Sequence, residues 1–132
     1  MEICKLQVFY FEQTKIFRKI AIPKLAIIPK FIEFMVESFD FYKEDIDDYF
    51  IWGYTDNKKR WKITSEDIQN LPPFKRKEYN LTKILQKNTD FITVINHKTP
   101  YVFNIKFLEC EELPHSTQPF VIEKMGEIEL DY

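Results

Sequence analysis

Scarcity of glycine constrains this chain more than any other feature. Only two of its 132 residues, Gly53 and Gly126, are glycine. Average usage is about 7%, so few tight left-handed turns are expected, and elements must be joined through Asn, Asp, Lys and Pro chemistry. The same count excludes whole function classes. Phosphate loops and dinucleotide fingerprints need several glycines so that backbone can approach phosphate. A Gly-x-Ser-x-Gly nucleophile elbow is absent as well.

The length fits one domain over residues 1–132. A chain of this size buries roughly 65–70% of its unfolded surface and needs neither disulfide nor metal to be stable. Cys4 and Cys110 lie far apart in sequence and read as two free thiols, packed as small apolar groups in a reducing compartment. The opening MEICKLQVFYFEQTK lacks a basic region and an unbroken apolar run, so it does not read as a signal peptide. No apolar run approaches the roughly 18–20 residues of a membrane helix. The expectation is a cytoplasmic protein without membrane association.

Hydrophobic periodicity gives the element order. ICKLQVFYF (3–11) and TKIFRKIAI (14–22) read as two strands of a hairpin, the second stopped by Pro23. Pro29 suits the first turn of a helix. Phe31, Phe34, Met35 and Phe39 then fall on one face, with Lys30, Glu33 and Glu37 opposite, which predicts an amphipathic helix over 29–39 with Phe34 in the core. YFIWGY (49–54) and RWKIT (60–64) read as strands, and Ser65, with Glu66 and Asp67, as the cap of a helical turn. LTKILQK (81–87) is a short helix begun by Asn80 or Thr82. DFITVIN (90–96) and YVFNIKFLE (101–109) alternate well and form a hairpin. The last segment, FVIEKMGEIELDY, adds a strand or lies along the surface. This is an α+β fold: a single antiparallel β-sheet with two helices packed mainly on one face, in the order ββαβ(β)αββ.

KIFRKIAIP (15–23), the helix at 29–39, DDYFIWGY (47–54), LTKILQK and FITVINHKTPYVFNIKFLE (91–109) come in an order that resembles the Ri-plasmid open-reading-frame family, whose members also travel as passengers of insertion sequences. That family carries a Trp-Arg-Arg-Ile-like strand ending in Val-Pro. Here Phe17-Arg18-Lys19-Ile20 ends in Ile22-Pro23. The family's later hairpin turns through Phe-Gly-Asp followed by Trp. Here His97-Lys98-Thr99-Pro100 replaces the turn, and Tyr101 stands near the Trp position. The resemblance implies an antiparallel α+β fold and an association with mobile elements.

Catalytic chemistry finds little footing. The two histidines, His97 and His115, lie in a hairpin loop and between Pro114 and Ser116. Neither spacing suggests a nucleophile–base pair or, with the two cysteines, a zinc site. The acidic turn lacks the central Gly and terminal Glu of a calcium loop. We therefore expect no catalytic residues, no metal and no cofactor.

Charge is more informative. The net charge of −2 hides blocks. Residues 14–30 hold five bases and no acid, 37–48 six acids and one base, 57–87 nine bases and three acids, and 109–132 seven acids and one base. Two readings follow, depending on which block is exposed. In the first, a non-catalytic interaction protein of a mobile element, plasmid or phage binds a protein partner stoichiometrically. Its acidic loop of Glu44, Asp45, Asp47 and Asp48 would meet a basic groove, for instance that of a nucleic-acid-directed defence nuclease. In the second, a nucleic-acid-binding domain uses the basic clusters Lys58, Lys59, Arg60, Trp61, Lys62 and Lys75, Arg76, Lys77. An enzyme with a scattered site is the third and least supported class. The sequence leaves the oligomeric state open.

Overall fold

Alternating apolar residues build the sheet, and one broad apolar stripe builds its main helix. The computed structural model describes residues 1–42, 44, 46–96 and 100–129. The order is β1 (Glu2–Tyr10), β2 (Phe17–Pro23), α1 (Ile28–Ser38), β3 (Asp48–Tyr54), β4 (Arg60–Thr64), α2 (Ser65–Gln69), α3 (Pro73–Arg76), α4 (Leu81–Lys87), β5 (Asp90–Asn96), β6 (Tyr101–Glu112) and β7 (Phe120–Met125). The strands form one antiparallel sheet in the order β4-β3-β5-β6-β1-β2-β7. The expected α+β architecture is therefore observed. The C-terminal segment supplies its seventh strand by pairing with β2. No helix among the described residues is long and apolar enough to cross a membrane.

Register and burial divide the sheet into two faces. Leu6, Val8, Ile20, Ile22, Ile51, Ile63, Phe91, Ile95, Phe103 and Ile105 point into the core beneath the helices. Helix α1 buries Ile28, Phe31, Ile32, Met35 and Val36 there, and α4 buries Leu81 and Ile84. The stripe on α1 runs 28-31-32-35-36-39, so Phe34, expected in the core, lies at its edge and is only half-buried. Thr64, rather than Ser65, caps α2. Its hydroxyl accepts from Asp67 N at 3.0 Å, while the Asp67 carboxylate accepts from Thr64 N at 3.0 Å. That reciprocal pair holds the Asp67 carboxyl below its ordinary value.

Left-handed turns are made despite the missing glycines. Phe11, Asp40 and Lys58 have φ of 54°, 69° and 60°, and Gly126 has 73°. Such turns are few among the described residues, as expected, and Asp40 and Lys58 supply two of them; Phe11 is the unexpected one. Asp tolerates this region because its short polar side chain bonds locally, whereas Phe does so only under constraint.

One buried cation ties the layers together. Arg18 follows the alternation of β2 inward beside Ile20 and Ile22 and is 0% exposed. Its Nε donates to Ser38 O at 2.6 Å, at the end of α1. Its Nη1 donates to Phe17 O at 2.8 Å, Gly126 O at 2.9 Å and Met125 O at 3.1 Å. The guanidinium lies 4.5 Å from the Phe39 ring centre, and Nη2 stands 3.6 Å from Glu127.

Candidate functional site

The helices cover one face of the sheet, and the other carries an aromatic field. Phe50, Trp52 and Tyr54 project from β3 on this open side, as do Ile92 and Val94 from β5, Val102 and Asn104 from β6, and Phe9 from β1. Arg60 and Lys62 project from β4 on the same side, because they alternate with the core residues Trp61 and Ile63. Each cation lies over a ring of the neighbouring strand. The Arg60 guanidinium is 4.9 Å from the Trp52 centre, and the Lys62 ammonium is 4.4 Å from the Phe50 centre. A cation held over a ring face keeps most of its donors free for an anion.

At one end of this face, where β1 turns and β3 ends, lies a groove of about 640 Å³. Trp52 and Tyr54 form one wall, with ring centres 5.6 Å apart and planes at 83°. Phe9 and Phe11 form the other, and Ile92, Asn104 and the facing pair Asp90 and Lys106 lie between. Three strand spacings separate the walls, about 14 Å at the backbone. Phe11 is the residue in the left-handed region. Its N–H donates to Val102 O at 2.8 Å, and its carbonyl accepts from the Asn104 amide. Those two bonds hold a strained backbone that aims an exposed ring over the groove. Opposite, the Asn88 amide donates to Tyr54 O while its Oδ1 accepts from Asp90 N at 2.8 Å, which fixes the end of β3. Among the described residues, the lining holds no Cys, His or Ser.

The predicted site residues divide. Lys58, Lys59, Arg60 and Lys62 are exposed on β4 and its hairpin tip, beside the aromatic field. Trp61, expected among them, is buried on the core side, where its ring covers Gly53. A one-residue step along a strand reverses the face, so Trp61 cannot share a surface with Arg60 and Lys62. Lys75, Arg76 and Lys77 do not join this cluster. They sit on and just after α3, which links α2 and α4 on the helical side. Arg76 is engaged there, donating to Gln69 O at 2.9 Å and Leu71 O at 3.1 Å. Among the described residues, none of the nine bases of 57–87 pairs with a carboxylate.

The acidic blocks behave differently. In the C-terminal block, Glu109 and Glu111 pair with Lys5 at 3.1 and 3.0 Å, Glu112 with the N-terminal ammonium at 2.9 Å, and Glu127 with Arg18. In the acidic loop, Glu44 and Asp47 are exposed, while the exposed Asp48 accepts from the Ser65 hydroxyl at 3.4 Å. Asp45 lies outside the described residues, as do His97, Lys98 and Thr99 of the last hairpin. Among the described residues no three of His, Cys, Asp and Glu gather at metal-binding spacing.

No family model matches the chain, and no curated protein matches it. Among solved structures, it is similar to the crystal structure of MM3350, a protein of unknown function from Methanosarcina mazei Go1. The TM-score is 0.72 at 12% identity, over 93% of this chain and 68% of that one. The likeness extends to the fold.

Proposed function

We propose that the chain is a non-catalytic binding module whose open sheet face holds single-stranded nucleic acid. One observation carries this reading: the bases of β4 lack carboxylate partners among the described residues and lie over outward aromatic rings beside an aromatic groove. Exposed bases stack on aromatic side chains, and the backbone follows cations. A duplex hides its base faces and gains little from such a surface. Arg60, Lys62, Lys106 and the tip lysines serve the phosphates, while Trp52, Tyr54 and Phe11 serve the bases. Fluorescence anisotropy with a labelled single-stranded DNA or RNA of about 12 nucleotides tests it, a length within the roughly 4–16 nucleotides that single-strand-binding OB folds cover. Single strands should bind and the matching duplex should bind far more weakly. Phe11→Gly suits the left-handed backbone and removes one ring. It should lower affinity about 5–100-fold without loss of stability. Equal binding of duplex and single strand would count against base stacking.

A second reading rests on the exposed carboxylates of Glu44 and Asp47. It is the stoichiometric protein partner with a basic groove, in keeping with the mobile-element association that the family resemblance implies. Reversing both charges to lysine would abolish such a complex and leave nucleic-acid affinity undiminished.

A further inference from the structure

The two cysteines meet across the sheet. Cys4 of β1 and Cys110 of β6 are direct partners, although the strands enter their pairing one residue out of step for this. From Tyr10↔Phe103 to Leu6↔Phe107 the register would place Cys4 opposite Glu109. A bulge at Leu108 adds one residue to β6, and only then does Cys110 face Cys4. The sulfur atoms are 3.0 Å apart. Directly opposed residues of an antiparallel pair have Cα atoms about 4.5–5.5 Å apart, within the range a disulfide spans. Their environments are unequal. Cys4 is 0% exposed, whereas Cys110, expected to be packed, is open to solvent. Burial, with Cys110 beside it, pushes the Cys4 thiol up to about 12. Glu2 and Lys24 are the charged neighbours.

We propose that Cys4 and Cys110 form a thiol–disulfide exchange site that takes a low-molecular-weight disulfide and closes into an intrachain bond between β1 and β6. The exposed Cys110, as thiolate, attacks one sulfur of the reagent. The reagent's S–S bond breaks and its first thiol leaves. Cys4 then attacks the Cys110 sulfur, the mixed disulfide breaks, the second thiol leaves and the Cys4–Cys110 bond forms. The two protein thiols are oxidised, the reagent is reduced to two thiols, and the two protons pass to them. Closure links positions 106 residues apart. It should restrict the unfolded chain strongly and raise the thermal midpoint by about 10 °C.

The test treats the reduced full chain with oxidised glutathione and reads intact mass. The proposal expects a monomer two hydrogens lighter without an adduct, and proteolysis should release the peptide of Cys4 linked to that of Cys110. Cys4→Ser should stop as a single glutathione adduct, and Cys110→Ser should stay unmodified while folded. A wild-type chain that ends as the mixed adduct, or as a dimer linked through Cys110, overturns the proposal. So does a linked monomer whose thermal midpoint does not rise.

Discussion

Replacing Arg18 by Met keeps most of the aliphatic volume of the side chain but removes its guanidinium. Four carbonyls on three segments then lose their donor: Phe17 in β2, Ser38 at the end of α1, and Met125 and Gly126 at the end of β7. A hydrogen bond to a charged group contributes about 1.5–3 kcal/mol. Some of these carbonyls regain water on relaxation, and the cost of burying the charge disappears, so the sum is discounted to about 3–5 kcal/mol. With a urea slope near 2 kcal/mol/M, the midpoint should fall by about 2 M. The loss should also be local. Strand β7 is exposed along both faces, so besides its ladder on β2 it depends on this clamp. Amides of 120–125 should lose exchange protection before those of β5. Glu127→Gln, at an exposed partner 3.6 Å from Nη2, should cost less than loss of the guanidinium itself, because the four carbonyl acceptors stay in place. An Arg18→Met midpoint within about 0.3 M of the parent, given that slope, with β7 protection intact, would refute the clamp.

Three further outcomes follow from packing and burial. Phe31→Ala should cost about 3–5 kcal/mol in chemical denaturation, and Phe34→Ala only about 1–2, because Phe31 is fully buried and Phe34 sits at the stripe's edge. Gly53→Ala should destabilise by about 1–3 kcal/mol, since its new Cβ would lie 2.9 Å from Trp61 Cζ2 in a buried ring that has little room to shift; equal stability would show that the ring gives way. Burial, with the Glu33 charge beside it, pushes the Tyr49 hydroxyl up to about 12 from 10.0. The unfolded chain therefore loses this proton first as pH rises, so stability falls between about pH 10 and 12, and Tyr49→Phe should flatten that alkaline limb of a thermal-melt series.

Most of the sheet was legible because its strands are β-branched and aromatic runs with partial alternation, and α1 because prolines and a broad apolar stripe define it. Face assignment was legible too, where the period of two was followed through. That period places Trp61 with Ile63 in the core and separates both from Arg60 and Lys62. It also places Arg18 inward with Ile20 and Ile22, although counting charge by blocks hides this. Two features had no local signal. The meeting of Cys4 with Cys110 depends on a bulge at Leu108 and on pairing across more than a hundred residues. The groove depends on Phe11 adopting a conformation that propensity argues against, enforced by β6.

The open sheet face is the surface assigned to nucleic acid, and a salt titration of single-strand binding probes that assignment. Four cations, Arg60, Lys62, Lys106 and one lysine of the β3–β4 tip, should release counterions from the strand. The logarithm of affinity should then fall against the logarithm of salt with a slope of about −3. Arg60→Ala with Lys62→Ala should bring it to about −1.5. Absence of binding at about 50 mM salt, or a slope that the double substitution leaves unchanged, would contradict the assignment of this face to nucleic acid.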